Sequence, residues 1–162
     1  MKVLVTAASR YGATGEIAEA IGQELRERGL DATVGPPEEA GNVDGYDAVV
    51  LGSAVYAGHW LKAARELVDR QRDALAARPV WLFSSGPVGD PPKPEEDPVA
   101  GLVAATGARD HRVFAGRLLR KQLGFADKAI AVALQVPDGD FRDWTAIREW
   151  AAGIADALRA GP

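Results

Sequence analysis

Apolar residues in this chain recur in two alternating registers. Short runs dominated by Val, Leu, Phe and Ala at Lys2–Thr6, Ala48–Gly52, Val80–Ser84 and Arg112–Ala115 read as brief strands buried on both faces. A fifth run, Asp31–Gly35, is more polar and reads as an edge strand. Between the runs, Ile17, Ile21 and Leu25 repeat at helical spacing and lead to Gly29, a residue suited to close a helix. A second stretch carries Leu61, Ala64, Leu67, Val68, Gln71 and Leu75 and ends before Pro79. The last carries Trp144, Ile147, Trp150, Ile154 and Leu158 behind Asp143, whose carboxylate can accept from the first free N–H groups of a helix. Strands alternating with crossover helices predict an α/β fold, a doubly wound five-stranded parallel sheet with helices on both faces. No repeat or long linker interrupts the pattern, so residues 1–162 are expected to form one domain.

Composition narrows the chemistry. With 162 residues, 47% of them hydrophobic, and no cysteine, the chain can bury a core without disulfides, and thiol chemistry, Cys-ligated zinc and iron–sulfur clusters are excluded. The formal net charge of −4 argues against a nucleic-acid partner. The two histidines, His59 and His111, stand in no metal-ligand spacing, so no metal is expected. No apolar run reaches the ~18 residues of a membrane span. A strand-like segment begins directly after Met1 and Lys2, so no signal peptide is expected and the cytoplasm is the expected location.

In a parallel sheet of this kind, ligands bind beyond the carboxyl ends of the strands where strand order reverses. The loop after the first strand, Ala7 to Thr14, combines hydroxyls at Ser9 and Thr14 with Gly12 and the free amides of a helix start, a cradle for a phosphate dianion. It has neither the Gly-Lys-Ser/Thr of a Walker loop nor the three glycines of a dinucleotide fold, so a monophosphate suits it better than a pyrophosphate. The loop after the third strand, Gly52 to Trp60, sets small residues around Tyr56 and Trp60, either of which can stack on a flat ring. The loop after the fourth, Ser84 to Asp90, is suited to giving amides to the polar edge of such a ring. A Ser-His-Asp hydrolase built from Ser84, His59 and Asp90 lacks the Gly-x-Ser-x-Gly elbow.

The runs TAASRYGATGEIA, GSAVYAGHW and FSSGPVGD resemble the three FMN-binding loops of flavodoxin-like proteins. The resemblance implies a flavodoxin-like sheet of order 2-1-3-4-5 with FMN as cofactor. Its phosphate would be surrounded by Ser9, Arg10, Tyr11, Gly12, Ala13 and Thr14, with Tyr11 standing where many flavodoxins have Thr. Ser53, Ala54, Val55, Tyr56, Ala57 and Gly58, together with Ser84, Ser85, Gly86, Pro87, Val88 and Gly89, would flank the isoalloxazine. SRYGAT, Tyr56, Gly58-His59, Phe114-Ala115-Gly116 and Asp143-Trp144 are similar to one branch, the menaquinone-dependent protoporphyrinogen IX dehydrogenases and related flavodoxin-domain proteins. That branch implies an FMN-dependent oxidoreductase of porphyrin biosynthesis with a porphyrinogen substrate and a quinone acceptor. It is also compatible with peripheral contact on the inner face of the cell membrane and with a homodimer. His59 is the one side chain there with a candidate catalytic role. The alternative from another class is a small flavodoxin-type electron carrier docking on a redox partner protein.

Two segments fit no minimal sheet. Asp90–Pro98 reads as an extended proline-rich surface loop. Arg117–Gln135 reads as an amphipathic helical insertion: Leu119, Leu123, Ala126, Ile130 and Leu134 fall within about 80° on a helical wheel, opposite Arg117, Lys121 and Lys128, with Arg120 beside them. Its basic face can lie on an anionic membrane or pair with porphyrin propionates through Arg117, Arg120 and Lys121, or it is the solvated face of an ordinary covering helix.

Overall fold

The computed structural model describes residues 1–10, 12–56, 59–86, 99–118, 139–140 and 142–161. Along the chain these form β1 (Lys2–Ala8), α1 (Ala13–Glu27), β2 (Asp31–Gly35), β3 (Ala48–Tyr56), β4 (His59–Trp60), α2 (Lys62–Arg70), α3 (Arg72–Ala76), β5 (Val80–Ser85), α4 (Ala100–Thr106), β6 (Asp110–Phe114), β7 (Arg117–Leu118), β8 (Gly139–Asp140) and α5 (Trp144–Ala160). The main sheet runs β2-β1-β3-β5-β6, with every neighbouring pair on that path parallel and β4 folded back antiparallel on β3. Leaving out the β4 flap, this is the expected 2-1-3-4-5 order.

Alternation along the strands sorts the core into two layers. Val3, Val5 and Ala7 of β1, Val50 of β3 and Phe83 of β5 meet Ile17, Ile21 and Leu25 of α1 and Ile147, Trp150 and Ile154 of α5. Leu4, Ala8, Val49, Leu51 and Leu82 point the other way, against Leu67 and Val68 of α2, Leu75 of α3 and Val99 before α4. On the α1/α5 side three rings interlock, with centroids 6.2 Å apart for Phe83–Phe114, 6.0 Å for Phe83–Trp150 and 5.6 Å for Phe114–Trp150. The tilted and edge-on arrangements are those that the ring quadrupoles favour. The indole N–H of Trp150 donates to Asp110 Oδ2 at 2.9 Å, so its one polar atom is satisfied.

Both predicted helix signals hold. α1 closes through Gly29 N–H to Arg26 O and Leu30 N–H to Leu25 O, the paired bonds of a Schellman turn. Asp143 caps α5, its Oδ1 accepting from Ala146 N–H at 3.0 Å.

Other expectations are corrected. The second helix is not continuous: it breaks at Gln71, whose side chain leaves the helix surface to accept from Val43 N–H and donate to Gly41 O. The fifth parallel strand starts at Asp110 rather than Arg112, and it is not buried on both faces, leaving Val113 51% exposed. Arg117–Leu118 is strand rather than the opening of a helix, paired antiparallel with Gly139–Asp140. The remainder of the expected insertion, residues 119–135, lies outside the described residues, as does Asp90–Pro98.

Candidate functional site

Three connections meet at the carboxyl edge of the sheet. The first is the turn from β1 into α1, next to the boundary between β1 and β3 where successive crossovers diverge. Gly12 occupies the N-cap in the left-handed region, φ 87°, with no side-chain cap bond. A Cβ there would meet nothing within 4 Å, so the glycine answers a backbone need and leaves the helix end open. The first bond of the helix runs from Glu16 N–H to Gly12 O, so the N–H groups of Ala13, Thr14 and Gly15 have no acceptor within the helix. An uncapped helix start with converging amides and the positive end of a dipole fits a phosphate dianion. Ser9 and Arg10 are exposed beside this turn, Ala13 and Thr14 are buried at its base, and Tyr11 lies outside the described residues.

The second connection is a hairpin rather than the open loop expected. β3 runs on to Tyr56 and β4 returns with Val55 opposite Trp60 and Tyr56 opposite His59. The turn residues Ala57 and Gly58 lie outside the described residues. Ala54 and Val55 are partly exposed and His59 is exposed. Trp60 was expected to be free to stack on a ring, but it is buried among Leu67, Leu82 and Val99 on the α2/α4 side. Its indole N–H donates to Ser84 Oγ at 2.8 Å. Ser53 is equally committed, its hydroxyl donating to Ala54 O and accepting from Leu61 N–H at 2.9 Å. Ser53 and Ser84 therefore fix the hairpin and the strand ends, and it is backbone that they leave facing the edge.

The third connection follows β5. Ser85 and Gly86 are buried, and Gly86 N–H donates to Phe114 O at 2.9 Å, tying this strand end to β6. Pro87, Val88 and Gly89 lie outside the described residues. Ser84 Oγ also lies 2.8 Å from His111 Nε2. The imidazole next to this serine is thus His111 and not His59, and the chain Trp60–Ser84–His111 links the hairpin to β5 and β6. Its members are 24 and 27 positions apart, a spacing that no local motif reports.

Of the three basic residues singled out in the insertion, Arg117 is described and Arg120 and Lys121 are not. Arg117 does not face solvent freely: its Nη1 is 3.2 Å from Glu16 Oε2 in the first turn of α1. A second cation that the sequence pattern did not single out joins it. Arg142 forms two side-chain hydrogen bonds to Asp140, at 2.8 and 2.6 Å, and its Nη1 is 3.5 Å from Glu16 Oε1. The bidentate Arg142 guanidinium holds the Asp140 carboxyl down at about 2, and Asp140 in turn raises Arg142. Arg142 follows Ala13 by 129 residues, so only the fold brings this group together.

A model of the flavodoxin domain family matches residues 4–142. Protoporphyrinogen IX dehydrogenase [quinone] of Escherichia coli strain K12 is 33% identical over 95 residues, which make up 57% of this chain and 52% of that protein. The same enzyme from Escherichia coli O157:H7 matches equally. The match thus spans about half the length of these curated relatives. Among solved structures, a flavodoxin from the domain Archaea superposes with a TM-score of 0.66 at 18% identity, covering 98% of this chain and 99% of that one. A mutant of the flavodoxin from Pseudomonas aeruginosa gives 0.63 at 20% identity, with 98% and 99% covered. Rubredoxin oxygen:oxidoreductase from Desulfovibrio gigas gives 0.65 at 16%, covering 98% of this chain and 36% of that one. The structural likenesses speak to the fold alone. The family match over most of its length makes this chain a member of the flavodoxin domain family, with FMN as its cofactor.

Proposed function

We propose that this protein is an FMN-dependent oxidoreductase that takes electrons from a porphyrinogen and passes them to a quinone. The observation that carries the finer reading is the 33% identity, over 95 residues, with the quinone-dependent protoporphyrinogen IX dehydrogenase of Escherichia coli. Bound FMN supplies the redox chemistry, because a flavin exchanges electrons with both organic donors and quinones.

The chain's own part is to bind and orient. The amides of Ala13, Thr14 and Gly15 hold the phosphate, with Gly12 giving the backbone room to turn. Ser9, Arg10 and Tyr11 border that phosphate. The hairpin residues Ala54 to Gly58 and the strand-end residues Ser85 to Gly89 border the ring through their backbone, while Ser53 and Ser84 hold those segments in place. His59, exposed on β4, is the side chain offered for a proton or a substrate contact. Arg117 is already held by Glu16, so Arg120 and Lys121 are the residues proposed to pair with porphyrin propionates or an anionic membrane. Among the described residues no helix is long and apolar enough to cross a membrane, so membrane contact on this reading is peripheral.

The test is anaerobic oxidation of protoporphyrinogen by the FMN-loaded protein with a menaquinone analogue as acceptor. Turnover that falls in an Arg120→Ala, Lys121→Ala double variant, with FMN affinity unchanged, supports the reading. Absence of turnover in a protein that nevertheless reduces a redox partner protein would replace it with the electron-carrier reading.

A further inference from the structure

Four charged side chains gather beside the open start of α1, and their arrangement carries a consequence for what binds there. Arg142 is the centre of the group. Its side chain is only 5% exposed, its guanidinium lies 4.6 Å from the ring centroid of Trp144, and Nη1 reaches the first turn of α1, 3.5 Å from Ala13 O and 3.5 Å from Glu16 Oε1. Arg117 of β7 takes the other oxygen of Glu16 at 3.2 Å, and Asp140 of β8 fixes Arg142 from behind. Glu16 and Asp140 balance Arg117 and Arg142, so the group is formally neutral.

Glu16 alone would set two demands against each other. A carboxylate in the first turn stabilises a helix through its dipole. The same carboxylate, within one turn of amides that receive a dianion, repels that dianion. An arginine on each carboxylate oxygen cancels the repulsion while leaving the helix charge in place, and a nearly dry guanidinium does so with little screening by salt.

We propose that Arg142, with Arg117, is a positioning residue for a phosphate-bearing ligand: it holds the Glu16 carboxylate neutralised against the β7/β8 ribbon so that the α1 amides meet an anion without a competing charge. The inference rests on the FMN reading above. Arg142 acts through Glu16 and not by touching the flavin. Its loss is therefore felt by a ligand with a phosphate and not by the same ring system without one.

The experiment titrates FMN and riboflavin, which differ by the phosphate, into the wild type and the Arg142→Ala, Glu16→Gln and double variants, reading flavin fluorescence. Arg142→Ala is expected to weaken FMN roughly tenfold while riboflavin stays within about twofold. Glu16→Gln alone is expected to bind FMN at least as tightly as the wild type, and in the double variant to restore most of the loss. Equal losses for FMN and riboflavin, or a double variant as weak as Arg142→Ala, would overturn the proposal in favour of a purely structural role. Should Arg142→Ala not fold, the Glu16→Gln variant decides, and FMN binding weaker than wild type there overturns it. A wild-type protein that binds neither flavin removes the FMN reading and this inference with it, whereas tight wild-type FMN binding with an unchanged Arg142→Ala removes the inference alone.

Discussion

Gly52 shows how little slack single residues have at the centre of this sheet. A Cβ added there would lie 2.2 Å from Phe83 Cζ, and the Phe83 ring is wholly buried between Phe114 and Trp150. The ring has nowhere to move, so Gly52→Ala is expected to cost about 1–3 kcal/mol in urea unfolding. Phe83→Leu in the same background should restore part of it, giving a combined cost below the sum of the two single costs. Asp140 makes a different kind of prediction. Its carboxyl is depressed from 3.8 to about 2, chiefly by the hydrogen bonds from Arg142, so the folded state gives up the proton more readily than the unfolded chain. The contribution of the pair is complete above about pH 4 and is lost as pH falls through about 2. Asp140 is 42% exposed, and solvent screening holds that contribution to about 1 kcal/mol. Asp140→Asn should therefore destabilise the protein by that amount at pH 7 and by progressively less as pH falls from about 4 through about 2, measured by denaturant unfolding across the range.

Among the elements, α5 depends most visibly on a single end group. It places Ile147, Trp150 and Ile154 on α1 and the sheet, and its start is fixed by Asp143. Asp143→Ala is expected to lower stability by about 1 kcal/mol while Asp143→Asn, which keeps an acceptor, is nearly neutral; thermal unfolding separates them. This cap, the glycine closure of α1 and the positions of the five sheet strands were all legible in the sequence, because each depends on residues adjacent along the chain. What was illegible depends on distance. Helical spacing continues unbroken through Gln71, and the helix breaks there because Val43 and Gly41, on another connection, capture its side chain. The composition of Arg112–Ala115 reads as a strand buried on both faces, yet β6 leaves Val113 exposed, because what covers a strand is set by other elements. Small residues from Gly52 to Gly58 read as an open loop, whereas β4 pairs back on β3 and buries Trp60. At the site, the glycine-led turn into α1 could be read because glycine, hydroxyls and a helix start are contiguous. The roles of Ser84 and Arg142 could not, their partners being supplied by other strands and helices.

At the scale of the whole molecule, the cofactor and the fold are linked by mass action. A ligand that binds the folded chain alone stabilises it by about 2.7 kcal/mol at a hundredfold excess over its dissociation constant. For a chain of 162 residues this corresponds to a rise of roughly 5–10 °C in Tm on adding FMN. A thermal shift measured with FMN and with inorganic phosphate reports the two contributions separately, and the absence of any shift with FMN would contradict its assignment as cofactor.

The β7/β8 ribbon has a last consequence, for how such a chain can vary. It sets Leu118 opposite Gly139, so that the two ends of the segment 119–138 lie at adjacent points, both clamped to α1 by the Glu16–Arg117 and Glu16–Arg142 pairs. Whatever length of chain joins two such points imposes almost no strain on the sheet, and the entropy of closing it grows only slowly with length. The ribbon is therefore a socket: a place where one scaffold can exchange one joining segment for another, by evolution or by grafting, while the start of α1 stays where it is.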